Sequence, residues 1–176
     1  MKRILTFFIP LALFTALLIG FWQLGAFNEP EIVTAVRPRQ IVAGRFFDGA
    51  LEKNAEKYQK VQQDVQQQWK SGTLEGTRCV YFYDNPDTSQ TVKALIGLIT
   101  GDSTRELPEG YRYVVVPRKK VVRAVLSTSR WIAPNPQEMY VQLARYAQQQ
   151  GLTLNDRIFE KHHQSGTIIT EIEVEE

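Results

Sequence analysis

The chain has 176 residues, of which 43% are hydrophobic and 23% charged, a composition typical of a folded domain rather than of a disordered chain. Its net charge is +2, and from residue 28 onward acidic and basic residues are equal in number, which argues against a nucleic-acid-binding protein. A single cysteine excludes an internal disulfide framework and any zinc or iron–sulfur site that needs several cysteines.

The chain begins with a long apolar segment, residues 4–22, which contains no charged side chain. As a helix this segment would be about 28 Å long, close to the hydrocarbon thickness of a bilayer. We therefore predict that residues 1–27 form a signal anchor with one transmembrane helix. A cleaved signal peptide is the alternative, although its apolar stretch is usually shorter. Lys2 and Arg3 favour a cytoplasmic N-terminus, which places the domain on the non-cytoplasmic side, the periplasmic side in a bacterium.

Extended and helical patterns follow a short linker at residues 28–30. Residues 31–46 are predicted to be extended, with an edge strand or a bend at Pro38. We expect a helix next, with Asp48 as its N-cap and Ser71-Gly72 as its end. Its apolar residues recur at helical spacing: Leu51, Ala55, Tyr58, Val65 and Trp69.

Two strands are predicted after this helix, at residues 78–83 and 92–99. The turn sequence Asp84-Asn85-Pro86-Asp87 separates them, and residues 101–110 form a polar break. The same order then recurs, which predicts that the chain is built from two similar halves.

The second half starts with two β-like runs within residues 111–128, separated by Arg118-Lys119-Lys120. We interpret these basic residues, with Arg123 nearby, as a solvated hairpin tip; contact with lipid headgroups is the alternative. A second helix begins near Pro134 and Pro136 and ends at Gly151. Its predicted buried face consists of Tyr140, Leu143, Ala144 and Ala147.

Two strands close the chain, at residues 157–163 and 167–174. In the last strand, Ile168, Thr170, Ile172 and Val174 face one way and three glutamates face the other: Glu171, Glu173 and Glu175. The sequence thus predicts an α+β domain over residues 31–176, with duplicated β-α-β-β halves at about 31–101 and 111–176. Two such halves can leave a pseudo-two-fold groove where they join.

This order of strands and helices resembles that of a known family, the gyrase-inhibitor-like (GyrI-like) domain, which also serves as the effector-binding part of some bacterial transcription regulators. The segment Arg157-Ile158-Phe159-Glu160 resembles that group's glutamate after an aromatic or apolar residue. Residues 80–86 (VYFYDNP) and 94–99 (ALIGLI) are similar to a membrane-anchored branch that includes an animal receptor for autophagy of the endoplasmic reticulum. The resemblance covers about residues 31–175.

The resemblance implies a non-enzymatic module that binds a small apolar or cationic ligand or a partner protein. Because no DNA-binding segment is seen ahead of residue 31, we do not expect a one-component regulator. The autophagy role is not transferred either, since it depends on a tail beyond the domain. Some members of the wider group hydrolyse strained cyclopropane toxins, so a hydrolase that uses Glu160 as acid/base is the alternative. A scaffold that fills its own groove is the third hypothesis.

Glu160 is the strongest candidate for a residue that binds the ligand or takes part in catalysis. In an apolar groove its carboxylate would attract a lipophilic cation or act as a general acid or base. A strand residue that faces solvent or a nearby cation is the alternative. Four aromatic side chains are candidates for the walls of the ligand site, with core packing as the alternative: Trp131, Tyr140, Tyr81 and Tyr83.

No cofactor or metal is expected. His162 and His163 are neighbours on a predicted strand, so their side chains point to opposite faces and cannot share one metal ion. Cys79 lies in the middle of a predicted strand with no adjacent base, which favours a buried, inert thiol.

Overall fold

The structure, a computed structural model, describes Thr15, residues 29–127 and residues 136–175. The predicted membrane segment, residues 4–22, lies outside the described residues except for Thr15, and Trp131 also lies outside them. Within the part that is described, no helix has both the length and the apolar character needed to cross a bilayer.

Strands and helices follow one another in an order that repeats along the described chain. They are β1 (Glu31–Arg37), β2 (Gln40–Gly49), α1 (Ala55–Lys70), β3 (Thr77–Phe82), β4 (Val92–Thr100), β5 (Arg112–Val116), β6 (Lys119–Ser127), α2 (Pro136–Gln149), β7 (Leu154–His162) and β8 (Thr167–Val174). The segments β2-α1-β3-β4 and β6-α2-β7-β8 share one order, which confirms the predicted α+β class.

All eight strands pair in one antiparallel sheet with the order β1-β6-β8-β7-β3-β4-β2-β5. Exchanging the equivalent strands of the two halves reverses this order, so the sheet has pseudo-two-fold symmetry. The symmetry axis passes between β7 and β3. The two halves therefore meet at the centre of the sheet, where Glu160 of β7 faces Val80 of β3.

The sheet closes on itself because β1 continues into β2 after only two residues. In the sheet order these strands lie six positions apart, about 29 Å if the sheet were flat. The three Cα steps from Arg37 to Gln40 span at most about 11 Å. The sheet must therefore curl until its two ends meet, and it has an inner and an outer face.

The closure is formed by one long antiparallel ladder, in which β1 pairs with β6 and β2 pairs with β5. Arg37 faces Lys119 and Gln40 faces Val116, so the register continues unchanged through both two-residue breaks. Pro38 lies in the first break, directly after β1, which is an edge strand of the sheet, one of the two predicted alternatives. The second break corrects a prediction: Arg118-Lys119-Lys120 is not the tip of a hairpin, because β5 pairs with β2 while β6 pairs with β1 and β8.

Helix α1 begins later than its sequence indicates. Asp48 is not its N-cap, because β2 extends to Gly49 and Asp48 pairs with Lys93 of β4. A turn closed by the Asn54 amide and the Ala50 carbonyl separates strand and helix. The predicted end is confirmed: α1 ends at Lys70, and Gly72 has a φ of +75°, which glycine adopts readily.

Helix α2 begins at Pro136, a position at which proline costs no helical hydrogen bond, and ends at Gln149 before Gly151, whose φ is +65°. Leu143, Tyr140 and Ala147 are buried as predicted, but Met139 takes the place of Ala144, which is exposed. Both helices pack on the outer face of the sheet, where they contribute to the larger hydrophobic core.

Candidate ligand-binding groove

The two helices leave the centre of the outer face between them. Helix α1 contacts β2 and β4, and α2 contacts β6, whereas β3 and β7 lie between these strands. We call this strip of the outer face, over β3 and β7, the groove. Successive side chains of a strand point to opposite faces of the sheet. Val80 and Ile158 belong to the outer core, so Glu160, two residues beyond Ile158, also points to the outer face and forms part of the floor of the groove.

Glu160 is held at the middle of the groove by a tyrosine from α2. The Tyr140 hydroxyl donates a hydrogen bond of 2.6 Å to Glu160 Oε1, and the glutamate side chain is 16% exposed. Glu160 is therefore largely enclosed but still reachable from solvent. Of the predicted site residues, the structure brings these two together.

A second tyrosine approaches from α1. Burial first, and then the negative charge of Glu160, raises the pKa of both Tyr58 and Tyr140 above the ordinary value for a phenol. Both hydroxyls therefore stay neutral over the physiological range. One aromatic side chain from each helix thus lies close to a carboxylate, an arrangement suited to an organic cation.

The groove continues past Glu160 toward two basic side chains. His162 Nε2 lies 3.9 Å from Glu160 Oε2, and His162 faces Arg78 in the β3–β7 ladder. A cavity of about 190 Å³ opens there beneath α1. Its lining combines polar and apolar groups: Gln62, Val65, Gln66, Arg78, Cys79, Val80, Ile96, Gly97 and His162.

Two of the predicted aromatic walls lie on the other side of the sheet. Tyr81 and its neighbour Tyr83 point to the inner face, where their rings meet edge to face at 4.8 Å. Tyr81 is buried and donates a 2.9 Å hydrogen bond to Glu173, not to Glu160. Strand alternation explains the difference, because Val80 and Phe82 occupy the outer positions of β3.

The inner face holds a buried network of charges. Arg37 pairs with Glu173, while Arg123 and Lys161 both pair with Glu171. Burial lowers the pKa of Lys161, and the charge and hydrogen bond of Glu171 oppose that shift. The Arg37 guanidinium also lies over the rings of Tyr81 and Phe159, at 5.6 and 5.5 Å. Glu171 and Glu173 thus share one face of β8 as predicted, and that face is buried; Glu175 follows the end of β8 and is exposed.

Two groove residues, Arg78 and His162, are not marked as site residues by their sequence patterns. Arg78 begins a β-prone run, and His162 is the neighbour of His163 on a predicted strand. Tyr58 packs against the outer core, as its place on the apolar stripe of α1 predicts. Only the β3–β7 pairing brings Arg78 beside His162, since 83 intervening residues separate them in the chain. The glutamine-rich side of α1 was the available signal, since Gln62 and Gln66 line the cavity.

Among the described residues, no group of three or more His, Cys, Asp or Glu side chains could hold a metal ion. Cys79 is buried, and burial raises the pKa of its thiol above the ordinary value. A protonated, enclosed thiol is a poor nucleophile, which agrees with the interpretation of Cys79 as inert.

No model of a known protein family and no curated protein matches the chain. Solved structures do. EcmrR in a complex with DNA is 14% identical, with a TM-score of 0.59 over 99% of this chain and 68% of EcmrR. The EcmrR C-terminal domain is 13% identical, with a TM-score of 0.58 over 84% of this chain and 98% of that domain.

Two further structures share the fold. SAV2435 bound to tetraphenylphosphonium is 12% identical, with a TM-score of 0.54 over 84% of this chain and 94% of SAV2435. A hydrolase from Listeria innocua is 13% identical, with a TM-score of 0.52 over 84% of this chain and 92% of the hydrolase. At these identities the likeness is one of fold. The predicted α+β class with two similar halves is the architecture observed here, and these solved proteins share its fold.

Proposed function

We propose that this chain is a non-enzymatic module that binds a lipophilic organic cation in the groove, with Glu160 as the counter-charge. The observation that carries the proposal is the position of Glu160, which is 16% exposed at the centre of the groove and near tyrosines from both helices. A carboxylate in such a site loses part of its hydration, so a cation that brings its own apolar surface is a favourable partner. The fold shared with SAV2435, which was solved with tetraphenylphosphonium, supports the choice of ligand class.

The test is titration of the purified 176-residue chain with tetraphenylphosphonium by calorimetry, in a neutral detergent that keeps residues 4–22 in solution. We expect saturable binding that weakens about tenfold or more in Glu160→Gln, because the amide keeps the shape but not the charge. Glu106→Gln changes an exposed glutamate in the loop between β4 and β5 and is the matched control. Absence of saturable binding, or equal affinity in both variants, would overturn the proposal.

A hydrolase is the second candidate, since the hydrogen bond between Tyr140 and Glu160 also suits a general acid or base. The Listeria innocua structure described as a hydrolase has the same fold. A strained cyclopropane substrate, the type named by the resemblance, distinguishes the two hypotheses. A hydrolase turns it over and loses turnover in Glu160→Gln, whereas a binder leaves it intact. Binding of a partner protein stays a prediction from the resemblance.

Residues 4–22 are proposed to anchor the domain in a membrane, with the domain on the non-cytoplasmic side. The uncharged apolar run and the basic residues before it support this. Membranes from cells that express the chain should retain it through carbonate washing, whereas a chain that starts at residue 28 should be released.

The absence of nucleic-acid binding also stays a prediction from the charge balance. EcmrR, which shares the fold, was solved in a complex with DNA.

A further inference from the structure

We infer that the groove releases its cation in acid, because protonation of His162 places a second positive charge beside Glu160. The inference rests on the proposed function, since it assigns the regulation of the same site. It follows from the position of an ionisable side chain next to the carboxylate that is proposed to hold the ligand.

His162 and Glu160 share one face of β7. They are two residues apart on the strand, so their side chains point the same way. His162 Nε2 lies 3.9 Å from Glu160 Oε2, whereas Tyr140 binds the other oxygen, Oε1. The His162 side chain is 38% exposed, so its imidazole can exchange a proton with solvent. Once protonated, the imidazole lies at ion-pair distance from the carboxylate.

The charge of His162 depends on side chains of β3 and β7. The carboxylate of Glu160 favours the protonated imidazole, and the guanidinium of Arg78, which faces His162 in the β3–β7 ladder, opposes it. Uncharged side chains share the cavity or the ladder row of His162: Gln62 and Gln66 of α1 and Ile168 of β8. The proton on His162 is therefore coupled to the charge of the groove through Glu160.

The tyrosines that approach Glu160 from the two helices do not change their charge in the same pH range. Burial first, and then the charge of Glu160, raises the pKa of Tyr58 on α1 and of Tyr140 on α2 above the ordinary value for a phenol. Asp87, in the loop after β3, acts on Tyr140 in the same direction. Between about pH 8 and pH 5 we therefore assign the change of charge beside Glu160 to His162.

A neutral His162 leaves the carboxylate of Glu160 available as the counter-charge of a cation. Histidine is the residue type whose side chain ordinarily gains its charge between about pH 8 and pH 5. A protonated His162 compensates the charge of Glu160, and a bound cation then lies next to a second positive charge. Ligand and proton compete, and each lowers the affinity of the site for the other by the same factor.

The effect of the ligand on the proton can be measured on the wild-type chain, because it contains only two histidines. Carbon-edited NMR of the labelled 176-residue chain in neutral detergent follows both imidazoles from about pH 8 to pH 5. We expect saturating tetraphenylphosphonium to move the midpoint of the His162 titration about one pH unit lower, which corresponds to tenfold coupling. The midpoint of His163, whose side chain points to the other face, should stay the same. His163→Gln assigns the two signals.

The effect of the proton on the ligand is measured by calorimetry. From about pH 7.5 to about pH 5.5 the wild-type chain should lose about tenfold in affinity for tetraphenylphosphonium. His162→Gln should lose much less, because its side chain stays neutral, and His163→Gln should behave as the wild-type chain does. Any loss that comes from Glu160 itself remains in all three chains and cancels in the comparison.

The outcomes separate this inference from the proposed function. A His162 midpoint that does not move at saturating ligand would overturn the inference and leave the cation site standing. An equal loss of affinity in the wild-type chain and in His162→Gln would overturn it as well, since the loss would belong to another group. If His162→Gln does not fold, as judged by circular dichroism, the NMR titration of the wild-type chain decides alone. Absence of tetraphenylphosphonium binding at both pH values would overturn the proposed function and this inference with it.

Discussion

Arg37, the last residue of β1, donates a hydrogen bond to Glu173 of β8, and both side chains are fully buried inside the closed sheet. The same guanidinium reaches the carbonyl of Pro117, in the break between β5 and β6. One arginine thus connects both breaks of the long ladder to the last strand. Because Arg37 lies where β1 continues into β2, this contact lies at the closure of the sheet.

Replacing Arg37 by Met should destabilise the fold by about 3–5 kcal/mol, because the buried carboxylate of Glu173 loses its buried cation and keeps only Arg157, a half-exposed side chain 3.8 Å away. The free energy of unfolding in urea measures the effect. Arg39→Met, two residues away and exposed, should change it little. The double variant Arg37→Met/Glu173→Met should recover part of the loss, since no unpaired charge remains. A loss in the single variant no larger than that of Arg39→Met would show that the pair is dispensable.

Acid should unfold the domain partly through Glu173. Burial alone would raise its pKa, but hydrogen bonds from Arg37 and Tyr81 outweigh burial, so the pKa lies below its ordinary 4.5. A depressed pKa means that the folded state binds this proton less readily than the unfolded state. Its contribution to stability is therefore present above the ordinary pKa and lost as the pH falls through the folded value.

The check is the free energy of unfolding between about pH 5 and pH 3, where the wild-type chain should lose stability. Glu173→Gln should be less stable at neutral pH and should change less over the same interval, since the titrating group is gone. Parallel curves for the two chains would assign the acid sensitivity to other carboxyls.

Leu143 should be a major anchor of α2, because it is 0% exposed in the outer core. Leu143→Ala removes buried methyl groups and leaves a cavity, with an expected loss of about 2–5 kcal/mol. Val141 lies on the same helix and is 58% exposed, so Val141→Ala is the matched control. Similar unfolding midpoints for the two variants in urea would contradict the packing of α2.

Gly97 should not tolerate a side chain. It faces Gly44 across β4 and β2, and a Cβ at Gly97 would lie 2.2 Å from the Ala43 carbonyl oxygen. Because that contact is with backbone, Gly97→Ala should cost about 1–3 kcal/mol of stability. At Gly101 a Cβ meets nothing within 4 Å, so Gly101→Ala should be nearly neutral. Thermal unfolding of the two variants, compared with wild type, measures the difference.

A permanent cation at position 162 should compete with a cationic ligand. His162→Lys places an ammonium group close to Glu160, where His162 Nε2 now lies 3.9 Å from Oε2. Partial neutralisation of the carboxylate should weaken the binding of tetraphenylphosphonium about tenfold. His163→Lys adds the same charge just beyond the end of β7 and should have little effect. Equal affinities of the two variants for tetraphenylphosphonium would show that Glu160 is not part of the cation site.

Local pattern was enough to place most of the elements. The helical stripe of α1, the glycines after both helices and the alternation in β4 and β8 depend on neighbours in the chain, which a sequence shows directly. The sequence predicts too early a start for α1, because Asp48 is a good cap by residue type but pairs with Lys93 of β4 as part of β2. Strand pairing outweighed the local preference there.

The sequence by itself determined the α+β class and the repeated order of elements, which follow from periodicity and turn signals. It offered Glu160 and four aromatic residues as site candidates, and of these the structure brings Tyr140 into contact with Glu160. The tertiary structure decided which face each side chain occupies. It put Tyr81 and Tyr83 on the inner face, buried Glu171 and Glu173 with cations, and brought Arg78 beside His162. The physical reason is the closure of the sheet: pairing between distant strands sets register and curvature, and these contacts leave no periodic trace in the local sequence.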